Sequence, residues 1–188
     1  MSVVGLFISP SQVKAETFID ENTDEKSIRE SILYCQEEYT KAMLGTALYN
    51  EIKGQIEAGT TTSLNTTLRD SYIRHSLKWW VVYEAMDTLY MKATNKSILI
   101  KKSDNSEPAD LNGILTLKNN FRNKAERMDE KLKNYLVENS ASYPLYLNPG
   151  NGYDTIHPKG LTYGTGWYLG GTDEDYGIDT DYGRKNNC

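Results

Sequence analysis

Cysteine is nearly absent: the 188 residues hold only Cys35 and Cys188. With no C-x-x-C pair there is no disulfide framework, which suits a reducing compartment. Histidine is as scarce. His75 and His157 stand alone in the sequence, so no metal cluster and no Cys–His or Ser–His pair can be read from it. Basic charge is in deficit, 21 Lys and Arg against 26 Asp and Glu, for a net charge of -5. A nucleic-acid-binding domain would call for a basic patch or stripe. Apolar residues make up 38%, and no run of them is long enough for a membrane span, because Lys78, Glu84 and Asp87 interrupt the most apolar stretch. The first residues, Met1 to Ile8, carry no basic n-region and too short an apolar run for a signal peptide. Secretion is not expected, and the sequons at Asn65 and Asn95 are given no role.

What the chain does have is tyrosine, 14 residues of it, and one dominant helix. From Leu68 through Trp79-Trp80-Val81-Val82 to Met91, apolar side chains occupy nearly every side of a 3.6-residue repeat. Such a helix belongs in the middle of a bundle or between subunits. It breaks at Thr94-Asn95-Lys96-Ser97, and Ile98-Leu99-Ile100-Lys101-Lys102 reads as a brief extended excursion.

The flanking segments read as shorter helices. Ser9-Pro10 starts one that runs to about Phe18. Asp24 caps a second, whose face is Ile28, Ile32, Cys35 and Tyr39, widened by Leu33 and Met43. Gly45 interrupts, Leu48, Ile52 and Ile56 repeat every fourth residue, and Gly59 stops that helix. Thr60 to Thr67 reads as a polar, Thr-rich turn, and one of its Thr or Asn residues caps the dominant helix. After Pro108, a stripe of Leu111, Leu115, Leu117, Phe121, Ala125, Met128, Leu132, Tyr135 and Leu136 predicts a helix of about 30 residues. Long helices of this kind pack antiparallel as a bundle.

Composition changes after Asn139. Residues 140–188 hold seven of the 14 Tyr and nine of the 14 Gly, with no helical period. Gly and Pro suppress helix there, while Tyr and Trp beside Gly and Thr suit strands and tight turns. The fold class expected is mainly α: a small bundle over 1–139 and an extended, aromatic Gly/Tyr-rich arm over 140–188. The arm buries too few aliphatic residues to fold alone, so its rings read as anchors for a partner.

Motifs with chemical precedent fail on inspection. Gly164-Thr165-Gly166-Trp167-Tyr168-Leu169-Gly170 has the wrong spacing for a dinucleotide loop and no helix after it. Asp173 to Arg184 alternates carboxylates like a calcium loop, but Arg184 stands where the bidentate Glu belongs. Trp79-Trp80 fits core plus interface. Glu37-Glu38 and Asp129-Glu130 lie on polar helix faces. No catalytic constellation is found, and neither enzyme activity nor a cofactor or metal is expected.

Leu44-Gly45-Thr46-Ala47-Leu48-Tyr49, the Trp/Tyr-rich helix, the Thr94–Ile98 break, the Ser106-Glu107-Pro108-Ala109 restart and Tyr143-Pro144-Leu145-Tyr146 together resemble the head–tail connector (adaptor) proteins of tailed bacteriophages. The likeness is closest to connectors of Bacteroidetes phages, including the crAss-like group, and spans roughly Ile8 to Tyr146. That resemblance implies a homo-oligomeric ring, a dodecamer matching the portal, located at the head–tail junction of the virion and made in the host bacterial cytoplasm. It implies the portal or an adjacent ring or tail protein as partner, with DNA passing through the lumen without specific binding. Expected interface residues are Ile98, Leu99 and Ile100 in the excursion, where a strand could be added to a neighbour, and Tyr143, Tyr146, Tyr153, Tyr163, Trp167 and Tyr168 in the arm. The alternative from another class is a glycan-binding module built on the aromatic C-terminal segment.

Overall fold

The structure is a computed structural model that describes residues 5–93, 98–100 and 111–159. It is mainly helical. Helix α1 (Pro10–Glu16) opens with a reciprocal capping box: Ser9 accepts from the Gln12 amide, and the Gln12 side chain accepts from the Ser9 amide at 3.0 Å. It stops before the expected Phe18, because Thr17 turns extended and folds its hydroxyl onto the Val13 carbonyl.

Helix α2 (Glu25–Cys35) starts at the Asp24 cap and buries Ile28, Ile32 and Cys35, the stripe read from the sequence. A π-turn over Gln36–Thr40 follows, then α3 (Lys41–Leu44), which Gly45 ends at φ 77°. The wider turn swings polar Gln36 inward. Its amide group is satisfied there, accepting from the Phe7 N–H at 2.8 Å and donating to the Gly5 carbonyl at 3.2 Å. Buried polar groups are tolerated only when bonded in this way. Helix α4 (Thr46–Ala58) buries Leu48, Tyr49 and Ile52 and ends at Gly59 in the left-handed region, where glycine carries no Cβ penalty.

The dominant helix begins earlier than its apolar run suggests. Thr62 caps α5 (Ser63–Leu68), a second π-turn covers Arg69–Ile73, and α6 (Arg74–Tyr90) continues without a break. Polar Asn65 is buried in this early part, its amide donating to Glu51 and Gln55. Backbone strands β1 (Met91–Ala93) and β2 (Ile98–Ile100) pair antiparallel, Met91 opposite Ile100.

Helix α7 (Leu111–Glu138) runs back along α6. Tyr72 stacks on Tyr135, Trp80 meets Asp129, and Asp87 meets Lys118, a descending order that makes the pair antiparallel. Its buried residues are Ile114, Phe121, Ala125, Leu132 and Leu136, spaced by seven and four as a helix–helix seam requires. Leu115 and Leu117, read as part of that stripe, are instead exposed at 50% and 42%. Their positions fall off the seam, and Ile114 fills it.

Beyond Asn139 the described chain does not leave the bundle. A 3-10 turn (Ser140–Ser142) leads into α8 (Pro144–Leu147). Tyr143 and Tyr146, expected as partner-facing anchors, are buried in this chain's own core at 2% and 0% exposure. The physical reason is proximity. The turn after α7 drops both rings beside α4 and α5, and the Tyr143 hydroxyl donates to the Leu64 carbonyl at 3.2 Å. The chain then runs to Lys159 through a latch on the α3–α4 corner. The Ile156 carbonyl accepts from the Thr46 amide at 3.0 Å, and the Lys159 amide donates to the Ala42 carbonyl at 2.9 Å. Buried Pro158 lies so close to Gly45 that a Cβ there would sit 2.7 Å from the proline ring.

Candidate functional site

A cleft lies between the α2–α3 junction and the α6–α7 pair. The first π-turn adds the residue that brings Tyr39 opposite α6. Its ring stacks on Trp80 with centroids 3.9 Å apart and planes 4° from parallel. Tyr83, nearly one turn along α6, meets the Trp80 indole edge-on at 5.8 Å. Arg122, Glu126, Asp129, Glu130 and Lys133 recur every three or four residues on α7 and therefore share one face. With Met43 and Lys159 these side chains line a cleft of 590 Å³.

Asp129 sits at the base of that face. Its carboxylate accepts from the Ser76 hydroxyl and from the Trp80 indole N–H, the latter at 2.9 Å. Burial raises its pKa above the ordinary carboxylate range, against the two donated hydrogen bonds that lower it. Tyr39 donates to Glu84 at 2.6 Å. Burial, then that carboxylate, push the phenol's pKa well up, so the ring stays neutral. The cleft rim mixes Arg122, Lys133 and Lys159 with Glu126 and Glu130, and Arg122 pairs with Glu126 at 2.8 Å. These groups can seat a neutral ring with a hydrogen-bonding tip. The described acidic groups and their partners do not assemble a nucleophile with a base.

A second surface occupies the other flank of α6 and α7. Phe18, Phe121 and Trp79 form a stack with centroid separations of 5.1 and 5.8 Å. The Lys124 ammonium lies over both Trp79, at 4.5 Å, and Phe121, at 5.2 Å. Leu117 borders this groove, and Phe18 is 55% exposed. So Trp79 and Trp80, adjacent in sequence, face two different surfaces.

The remaining expectations have definite places. His75 and His157 are exposed. Cys35 is fully buried, and desolvation raises its thiol far above the ordinary range, which keeps it unreactive. Tyr153 is fully exposed. Tyr163, Trp167, Tyr168 and the Asp173–Gly183 carboxylates lie outside the described residues, as do the side chains of Ile98, Leu99 and Ile100. Among the described residues no group of three His, Cys, Asp or Glu could hold a metal ion. Nor is any described helix long and apolar enough to cross a membrane.

Sequence reasoning missed the cleft. Tyr39, Trp80 and Asp129 are 41 and 49 residues apart in turn, each read separately as core or as a solvated face. The one legible signal was the Trp79-Trp80 pair, which must point in two directions on any helix.

The fold defines a mainly helical domain closed by a C-terminal latch. The chain belongs to the Family of unknown function (DUF6712), whose profile matches residues 40–156. The match begins at Thr40, the last residue of the first π-turn, and ends at the latch residue whose carbonyl accepts from Thr46. No curated protein and no solved structure matches the chain.

Proposed function

We propose that this chain is a structural, non-enzymatic virion protein that forms a ring at the head–tail junction below the portal, joining capsid to tail and lining the DNA passage. The resemblance of residues 8–146 to phage connectors supplies the role. The observation that carries self-assembly is the flank of Phe18, Trp79 and Leu117. A single chain leaves this stacked aromatic groove open. Apolar patches rimmed by charge mark contact surfaces, and in a ring of identical subunits each copy must cover its neighbour's flank. The β1–β2 excursion, with Ile98, Leu99 and Ile100, adds a strand contact between neighbours. Exposed Tyr153, with Trp167 and Tyr168 farther along, supplies inter-ring anchors. The net charge of -5 suits a lumen through which DNA slides, since tight binding rests on neutralised phosphates.

Substituting Leu117→Glu places a charge in this groove without touching the α6–α7 seam. The expected outcome is loss of oligomers in native mass spectrometry with the helical circular dichroism unchanged. Oligomers that survive Leu117→Glu and Phe18→Glu together would remove this flank from the lateral contact.

A further inference from the structure

We propose that the groove of Phe18, Trp79 and Leu117 is covered by the outer face of α2 of a second copy of this chain, with the exposed Tyr34 ring as the group that enters it. The inference rests on the ring reading above and names the face of the neighbour that meets this flank. The groove is an open space of 430 Å³, lined by Phe18, Trp79, Leu117 and Phe121 with Glu16 and Lys124 at its edge. Its charge is positive on balance. Glu16 is taken up by Lys78 at 2.9 Å, whereas the Lys124 ammonium lies over the Trp79 and Phe121 rings and makes no ion pair among the described residues.

The α2 face carries the complement. Tyr34 is 54% exposed, and exposed Glu30 and Glu38 stand one turn before and one turn after it, on the same side of the helix. Glu84 on α6 foremost, and Glu38 with it, hold the Tyr34 phenol above its ordinary pKa, the mark of a negative surrounding. Nearby Glu37 is already paired with Lys41 and Lys53, so Glu30 and Glu38 are the carboxylates left to meet a cation. A ring collared by carboxylates thus matches an aromatic groove edged by an ammonium, in packing and in sign. The phenol oxygen can also accept from Lys124.

The two faces lie on different sides of the molecule. Tyr34 meets Tyr39 edge-on at 6.4 Å, and Tyr39 stacks on Trp80, so this face belongs to the Trp80 side of α6, while the groove belongs to Trp79. A contact between two different faces of identical chains is heterologous. It passes from copy to copy and, where the rotation closes, makes a ring. A two-fold contact of groove on groove would instead set like charge against like.

The test is charge exchange in the full-length chain, with the dissociation constant of the oligomer read by sedimentation velocity. Lys124→Glu alone, and Glu30→Lys with Glu38→Lys, should each weaken association about tenfold, and all three together should return it to within about threefold of the parent. A chain carrying Tyr34→p-benzoyl-phenylalanine should give, on irradiation, a product with the mass of two or more chains, joined at Phe18, Trp79 or within residues 117–124. Association that ignores the reversals, or is not rescued by combining them, would overturn the contact. So would cross-links between chains that fall elsewhere, and the charge exchange decides by itself if the bulky label prevents folding. Oligomers that fail these tests remove this contact and leave the ring reading standing, whereas a parent chain that stays monomeric removes both.

Discussion

At the scale of single residues, Asp129, Tyr143 and Tyr146 show how burial sets the sign of an effect. Asp129 is a carboxylate whose pKa is raised on folding by desolvation. Its charged form is therefore disfavoured in the native state relative to the unfolded chain. The sign follows from linkage: above the raised native pKa the group subtracts stability, and that cost is relieved as pH falls toward the unfolded value. Urea unfolding of Asp129→Asn and of the parent at pH 7 and pH 4 checks this. The parent should gain stability relative to the Asn variant on acidification, and a difference that stays constant would show that the carboxylate is not desolvated.

Tyr143 and Tyr146 form a matched pair. The Tyr143 hydroxyl donates to Leu64, whereas the buried Tyr146 hydroxyl has no partner among the described residues. A buried hydrogen bond contributes about 1 kcal/mol, and an unpaired buried hydroxyl costs a similar amount. Tyr143→Phe is therefore expected to destabilise by about 1 kcal/mol, while Tyr146→Phe is neutral or stabilising. Equal losses in both would contradict the assigned bonding.

At the scale of elements, the two π-turns and the Gly45 corner position everything else. Each π-turn inserts a wider turn into an otherwise continuous helix, and such turns are frequent at functional sites. The one at Gln36–Thr40 places Tyr39 on Trp80 and Gln36 on the N-terminal segment. Gly45 combines a φ of 77° with close approach of Pro158. Any side chain there is strained twice, by backbone conformation and by the latch. Gly45→Ala should cost roughly 1–3 kcal/mol and free Ile156–Lys159. Denaturant unfolding and proteolysis should report a lower midpoint and new cleavage near residue 156, and an unaltered protein would mean that the corner tolerates a Cβ.

Much at this scale was legible beforehand. Ser9, Asp24, Gly45 and Gly59 were readable as helix boundaries because caps and stops are local chemistry. The face of Ile28, Ile32 and Cys35 was readable because its period is helical. What could not be read was set by tertiary contact. The Thr60–Thr67 stretch looks like a turn, yet Asn65 is drawn into a helix by Glu51 and Gln55. Tyr143 and Tyr146 belong to a Gly-rich, period-free composition, and only the fold shows that the core lies within their reach. The cleft was hidden because a π-turn, which has no sequence signature of its own, aligns its two halves.

For the whole molecule, the described chain is one bundle whose core runs from Phe7 to Tyr146, closed by the latch at Ile156 and Lys159. The Phe18–Trp79–Leu117 flank faces outward, where the proposed ring would seat a neighbouring copy, and the Tyr39–Trp80–Tyr83 cleft opens beside Lys159. A truncation meant to isolate the arm must fall after Lys159. One after Asn139 would remove two buried tyrosine rings, at a cost of several kcal/mol, and would test stability instead of assembly.

The measurement that bears most directly on the proposed connector role is electron microscopy of the full chain mixed with the portal protein of the phage that this role would assign it to. The expected result is a ring of this protein seated on the portal, its occupancy reduced when the chain ends after Lys159. A folded protein that forms no ring with the portal would contradict direct portal contact, and saccharide binding by the isolated chain would then favour the glycan-binding alternative.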